Sequence, residues 1–132
     1  MHKVFLDANV LFSAAYTPNS RLLALWKLDD AEMVTSEFAL LEARRNLLVH
    51  SPEAVPVLDE LAEKTTIAAA SSTPDLPRDL HLAEKDVPIL AAAVEAGCSH
   101  LLTGDKRHFD QLYGKRVRGV LVRTPAQYLA DR

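Results

Sequence analysis

The sequence contains a single cysteine, Cys98, so the chain cannot form an intrachain disulfide. The fold therefore has to rest on its hydrophobic core rather than on covalent cross-links. Cys98 follows Glu95-Ala96-Gly97, at the predicted entrance of a strand, and no activating partner for its thiol is predicted. We expect a buried structural cysteine and not a catalytic one.

Long apolar runs are also absent. None reaches the roughly 18 residues that a membrane-spanning helix requires. An apolar strand begins almost at once, at Lys3-Val4-Phe5-Leu6, which leaves no room for a signal peptide. We therefore expect a cytoplasmic protein without a membrane partner.

The chain has no excess of positive charge either. Its formal net charge is -3 and its pI is about 5.9, which argues against a protein that binds nucleic acid with its whole surface. A local basic rim remains compatible with these values. The 132 residues, 48% apolar and 25% charged, are typical of one globular domain. Without internal repeats or linkers, residues 1–132 are predicted to form a single domain.

Short apolar runs alternate with segments of helical periodicity along the chain. The predicted strands lie at residues 4–6, 32–35, 66–70, 100–103 and 119–123. The predicted helices lie at 8–16, 20–28, 36–49 and 86–97, with others beginning at Ser51-Pro52 and at Thr124, and a short helix or loop at 106–113. Such alternation indicates a mostly parallel sheet covered on both faces. The predicted fold is a three-layer α/β/α sandwich around a sheet of about five strands.

Two of these strands end in an aspartate, Asp7 after the first and Asp105 after the fourth. Because the carboxyl ends of parallel strands meet at one edge, where ligands bind, we expect the two acids to lie close together. Glu42, in the helix after the second strand, and Asp86, at the start of the helix before the fourth, are predicted near the same edge. Carboxylates placed together repel one another unless a cation or a proton lies between them. Oxygen donors without histidine or cysteine select Mg²⁺ or Mn²⁺, so the four acids predict such a metal site.

Each acid also has a purely structural explanation when it is taken alone. Asp86 can be the N-cap of its helix. Glu42 can pair with Arg45 or Asn46 on an exposed helix face, and Asp105 can occupy a Gly-Asp turn. Asp7 is the hardest to explain in this way, because an unpaired acid between an apolar strand and an apolar helix is costly.

Four segments resemble the PIN-domain family of PilT N-terminus-like ribonucleases, and together they cover nearly the whole chain. Val4-Phe5-Leu6-Asp7-Ala8-Asn9-Val10-Leu11 is similar to the family's strand-Asp-x-Asn motif. Val34-Thr35-Ser36-Glu37, followed by Glu42, is similar to its second strand and helix acid. The most specific stretches, 85–93 and 102–109, are similar to the toxins of toxin–antitoxin systems that are related to virulence-associated protein C.

The resemblance implies an Mg²⁺- or Mn²⁺-dependent endoribonuclease that hydrolyses phosphodiester bonds of single-stranded or structured RNA. The positions that match the family's catalytic and metal-binding acids are Asp7, Glu42, Asp86 and Asp105. The positions that match residues orienting those carboxylates or a bound water are Asn9, Ser36 and Thr103. The implied reaction is in-line attack of metal-activated water, which leaves 5′-phosphate and 3′-hydroxyl ends.

RNA binding beside an acidic cluster requires positive charge close by. The candidates for phosphate contacts are Arg44, Arg45, Lys85, Lys106 and Arg107. Each can equally belong to a solvated charged face. Tyr16 or Phe109 could stack on a base, although Phe109 suits the core better. Asp110 could either join the acids or face solvent.

The resemblance also implies protein partners. Related toxins form homodimers and are neutralised by a small antitoxin that can insert a basic side chain into the acidic site. The Ala- and Leu-rich helices predicted at 8–16 and 22–28 could supply an apolar homodimer interface, and Trp26 is predicted to be a core or dimer contact.

Three alternatives stay open at this point. The same nuclease could serve RNA processing outside a toxin system. A phosphatase of the haloacid-dehalogenase kind also begins with a strand that ends in aspartate, but it needs a second aspartate where this chain has Asn9. A non-catalytic module could bind RNA or a protein on the same fold, although the retention of four acids favours a nuclease.

Overall fold

A computed structural model describes residues 1–69, 86–104, 109 and 112–132. The strands in this part of the chain are β1 His2–Leu6, β2 Ala31–Ser36, β3 Thr66–Ala68, β4 His100–Leu102, β5 Arg116–Val117 and β6 Val120–Arg123. The helices are α1 Ala8–Tyr16, α2 Glu37–His50, α3 Val55–Glu63, α4 Val87–Glu95 and α5 Pro125–Ala130, with 3₁₀ turns at Arg21–Lys27 and Pro52–Ala54.

The strands form one sheet in the order β3-β2-β1-β4-β6-β5. Neighbouring strands are parallel except for β5, which runs antiparallel to β6. Leu6 lies opposite Leu102, so β1 and β4 end at the same level. This confirms the predicted α/β architecture and brings the residues that follow β1 and β4 side by side. The strand β5 was not predicted, because its two residues are too few to show an alternating pattern.

The centre of the sheet is fully apolar. Val4, Phe5 and Leu6 of β1 have no exposed surface, and neither have Leu101 and Leu102 of β4. Such continuous apolar runs are typical of parallel strands that are covered on both faces. No helix in the described ranges is long and apolar enough to cross a membrane.

Two single residues behave as their sequence context predicts. Phe109 is completely buried in the core and so is not available as a base-stacking surface. Cys98 is buried, and burial raises the pKa of its thiol to about 11. A thiol with so high a pKa is protonated at neutral pH and is a poor nucleophile.

Local signals set most helix ends, and one segment departs from its prediction. Thr124 and Gln127 form a capping box at the start of α5, as expected for the Thr-Pro start. The helix predicted at 20–28 is instead a 3₁₀ turn at Arg21–Lys27. It is short and held by tertiary contacts, including a 2.9 Å hydrogen bond from Trp26 Nε1 to Thr65 Oγ1. The predicted strand at 66–70 ends at Ala68, and residue 70 lies outside the described part.

Candidate active site

Three of the four predicted acids line one cavity at the carboxyl edge of the sheet. Asp7 follows β1, Glu42 lies in α2 and Asp86 immediately precedes α4. The cavity has a volume of about 340 Å³, and its remaining wall consists of Ala8, Asn9, Phe12, Asn46 and His50. The fourth acid, Asp105, lies outside the described residues, as do Lys85, Lys106, Arg107 and Asp110.

Asp7 is held in a single orientation by hydrogen bonds to both carboxylate oxygens. The Ala8 backbone N–H donates to Oδ1 at 2.7 Å, in the manner of a helix N-cap. Thr103 Oγ1 donates to Oδ2 at 2.9 Å, and Asn9 Nδ2 makes a longer contact of 3.4 Å with the same oxygen. Only 5% of Asp7 is exposed, so these bonds replace hydration that the folded chain removes.

The electrostatic environment disfavours the charge of Asp7. Burial raises the pKa of this carboxyl from 3.8 to about 6, and the negative charges of Asp86 and Glu42 contribute in the same direction. The hydrogen bonds from Thr103 and Ala8 oppose the rise in pKa but do not overcome it. A proton or a cation in the cavity would relieve this accumulation of negative charge.

Asn9 and Thr103 connect α1 to the end of β4. Asn9 Nδ2 donates to Thr103 Oγ1 at 3.2 Å, and Asn9 Oδ1 accepts from the Gly104 N–H at 2.8 Å. The Tyr113 hydroxyl donates to the Thr103 carbonyl at 2.9 Å. Asn9 and Thr103 thus both contact Asp7, and their supporting role in the site stays a prediction. Tyr113 was not predicted, because no local pattern indicates a hydrogen bond to the end of another strand.

Capping does not explain Asp86. It occupies the N-cap position of α4, but its side chain makes no capping hydrogen bond. Only 7% of the residue is exposed. A buried carboxylate in that position has a desolvation cost without a benefit to the helix end. Its position in the wall of the cavity, with Asp7 and Glu42, is the simpler explanation.

Glu42 belongs to the cavity and not to an exposed ion pair. It is partly buried, and no ion pair joins it to Arg45 within the described part of the chain. Ser36 caps the helix that carries Glu42: the Ser36 hydroxyl accepts a hydrogen bond from the Ala39 N–H at 3.1 Å.

The two arginines of α2 differ in their surroundings. Arg44 forms an ion pair with Asp59 of α3 and is not among the residues that line the cavity of the acids. Arg45 is exposed and lines a small cavity of about 110 Å³ together with Glu42. Arg45 is therefore the better placed of the two for a phosphate contact, which remains a prediction for both.

The donor set fits a hard divalent cation. The acids supply oxygen ligands only, the preference of Mg²⁺ and Mn²⁺. No three His, Cys, Asp or Glu side chains among the described residues lie close enough to hold an ion by themselves. The three carboxylates thus face a shared space and do not form a closed cage.

The fold and the cavity define a mostly parallel α/β domain whose carboxylates meet at the carboxyl ends of its strands. Residues 3–107 match the family model of the PIN domain. The chain belongs to the PIN-domain family. The matched segment contains all four predicted acids, including Asp105.

Several solved structures share this fold. The structure of VapBC2 from Rickettsia felis, bound to a DNA fragment from its promoter, is 17% identical in sequence to this chain, with a TM-score of 0.66. The match covers 92% of this chain and 98% of the other. FitAcB from Neisseria gonorrhoeae is 20% identical with a TM-score of 0.56, covering 93% and 98%. VapBC-1 from nontypeable Haemophilus influenzae is 10% identical with a TM-score of 0.55, covering 94% and 98%. No curated protein sequence matches the chain.

Proposed function

We propose that this chain is an Mg²⁺- or Mn²⁺-dependent endoribonuclease and the toxin of a toxin–antitoxin pair. The observation that carries the nuclease proposal is the convergence of Asp7, Glu42 and Asp86 on one cavity from three distant segments. Carboxylates gathered in this way, two of them buried, destabilise the fold, and such arrangements are found mainly at functional sites. Membership of the PIN-domain family supports the same activity.

In this proposal Asp7, Glu42 and Asp86 hold the metal together with Asp105, and Asp7 and Asp105 contact it most directly. When held by these carboxylates, Mg²⁺ or Mn²⁺ would supply polarisation of a phosphate and activation of water for hydrolysis. The chain itself supplies orientation. The hydrogen bonds from Ala8 and Thr103 fix the Asp7 oxygens before any ligand arrives, so little reorganisation accompanies binding.

Phosphate binding is assigned to cations at the rim of the cavity. Arg45 is exposed beside Glu42, whereas Arg44 is engaged by Asp59. Lys85, Lys106 and Arg107, which lie outside the described residues, stay predictions from their positions next to Asp86 and Asp105 in the sequence. Together they would provide the local basic rim that RNA needs on a chain of net charge -3.

The toxin assignment is supported by the fold. The similar structures include VapBC2 and FitAB, each bound to a DNA fragment. By analogy, this chain would be neutralised by a small antitoxin and would act in the cytoplasm on RNA. An RNA-processing role outside such a pair would use the same site.

An exposed apolar surface on α2 favours a protein partner, whether an antitoxin or a second copy. The sequence predicted such a surface on residues 8–16, but the apolar side chains of α1 are mostly buried within the protomer. Exposed apolar side chains lie instead on α2, at Phe38, Leu41, Leu48 and Val49, with exposures of 50% to 73%. Sedimentation at micromolar concentration tests the homodimer, and a purely monomeric chain would contradict it.

The nuclease proposal is tested by cleavage of single-stranded RNA with Mg²⁺ or Mn²⁺, with EDTA, and with the Asp7→Asn variant. We expect cleavage only by the wild-type chain with metal. Glu42→Gln should also be inactive, whereas Glu37→Gln, an exposed acid on the same helix, should cleave normally. Equal degradation in the first three samples would refute the mechanism, and RNA binding without cleavage over a broad set of substrates would favour a binding module.

The toxin proposal needs a separate test in cells. Induction of the chain should arrest growth, and co-expression of the product of a small adjacent gene should restore it. Normal growth under induction of a chain that cleaves RNA in vitro would favour the RNA-processing role.

A further inference from the structure

The acidic cavity extends beyond its carboxylates to side chains that have no role in holding a metal. Phe12 of α1 and Asn46 and His50 of α2 line the same cavity as the acids. Its volume of about 340 Å³ falls in the range of roughly 300–1,000 Å³ that is usual for organic ligands. The cavity thus has room for more than an ion and its waters.

The three residues are displaced from the acids along the groove between α1 and α2. Asn46 and His50 follow Glu42 by one and two helical turns on the same face of α2, or about 6 and 12 Å along the axis. Phe12 lies about one turn into α1, beyond Asp7 at its N-cap. A ligand with its phosphate at the acids would therefore extend the rest of its structure towards these side chains.

The walls of this part of the cavity combine an aromatic ring with polar groups. The Phe12 ring is stacked on Tyr16, with centroids 5.2 Å apart and planes at 16°, and meets the His50 ring edge-to-face at 6.2 Å. The side chains of Asn46 and His50 are exposed, and neither hydrogen-bonds to another described residue. An amide carries both donors and an acceptor, so Asn46 can pair with the edge of a base.

We propose that Phe12, Asn46 and His50 form a nucleobase subsite for the nucleotide whose phosphate lies at the acids. The base packs against Phe12, and its polar edge faces Asn46 and His50. A base inside a duplex cannot enter such a groove, so the subsite selects RNA with unpaired bases. This inference rests on the proposed function, since it takes RNA as the ligand of the acidic cavity.

The subsite is tested by binding and not by turnover. With Mg²⁺ present, the affinity of the wild-type chain is measured by calorimetry for the four nucleoside 5′-monophosphates and for ribose 5-phosphate, which lacks a base. At least one nucleotide should bind about tenfold more tightly than ribose 5-phosphate, because contacts between a base and an aromatic side chain have about that effect. Equal affinities for all five compounds would overturn the proposal.

Variants on α2 test whether Asn46 and His50 cause the preference for a nucleotide over ribose 5-phosphate. Asn46→Ala and His50→Ala should lower the affinity for that nucleotide towards the value for ribose 5-phosphate and leave ribose 5-phosphate binding unchanged. Glu37→Gln, at an exposed position of the same helix outside the cavity, should change neither. A nucleotide preference that survives both cavity variants would place the base elsewhere and refute the subsite. Base-dependent binding by a chain that does not cleave RNA would contradict the nuclease proposal and leave the subsite intact.

Discussion

Thr103 Oγ1 donates a 2.9 Å hydrogen bond to Asp7 Oδ2 and so joins residues that are 96 positions apart in the sequence. Asp7 directly follows β1 and Thr103 directly follows β4, and the two strands are neighbours in the sheet. The bond holds Asp7, which is more deeply buried than Asp86 or Glu42, in place against an environment that raises its pKa. The predictions below follow from this arrangement and from the residues around it.

Ionised Asp7 should destabilise the metal-free protein. Its pKa is about 6 in the folded chain, against an ordinary value of 3.8, so between these pH values the folded chain binds more protons there than the unfolded chain. The free energy of unfolding therefore decreases as the pH rises through this window, by roughly 1–3 kcal/mol from this group. Asp7→Asn should remove the effect. In EDTA, urea denaturation should show the variant to be more stable than wild type at pH 7, with little difference near pH 4. A variant that is less stable at pH 7 would contradict the prediction.

Replacing Thr103 by valine should weaken the site while preserving its shape. The valine fills the same volume but cannot donate to Asp7, and the loss of a buried hydrogen bond costs about 1–3 kcal/mol. We expect a lower midpoint of urea denaturation and slower RNA cleavage. Thr103→Ser keeps the hydroxyl and should retain most of the activity. Equal activity of the valine and serine variants would show that the hydroxyl is dispensable.

Asp86 should matter for activity and not for the helix that it precedes. Because its side chain makes no capping hydrogen bond, Asp86→Ala should not lose the roughly 1 kcal/mol that a helix cap contributes to the free energy of unfolding. Cleavage should decrease by about 10- to 100-fold or more, as is usual for groups around a metal. Thr124→Ala is the matched control, since Thr124 caps α5 and its loss should cost about 1 kcal/mol. Destabilisation by Asp86→Ala of the same size, with activity retained, would restore the capping explanation.

Arg45 should contribute more to RNA binding than Arg44 does. Arg44 is engaged by Asp59, and both side chains are more than a third exposed, so this ion pair stabilises the fold by about 1 kcal/mol at most. Arg45→Ala should weaken binding of a single-stranded RNA and reduce the salt dependence of its affinity by about one phosphate contact. Arg44→Ala should have a smaller effect on both quantities. The reverse order would assign the phosphate contact to Arg44.

Much of the fold could be predicted because its signals are local. The apolar runs that form β1 and β4 are continuous, the Thr-Pro start of α5 is a short cap motif, and Gly97 follows α4 with a positive φ of 71°. Each of these features depends on residues within about one turn of one another, which is why a single sequence reveals them. The short strand β5 and the 3₁₀ form of Arg21–Lys27 have no such signal, since pairing and packing from distant segments stabilise them.

The features of the candidate site also separate into those that follow from local sequence and those that depend on tertiary packing. By itself, the sequence determined that aspartates follow two buried strands, and it predicted four site acids from their match to PIN-domain motifs, because strand ends and motif spacing are properties of contiguous residues. Only the tertiary structure decided that Asp86 lines the cavity and does not cap its helix, that Arg44 is engaged by Asp59, and that Tyr113 supports Thr103. These facts depend on how separate elements pack, and the free energy of each contact comes from partners that the local sequence does not specify.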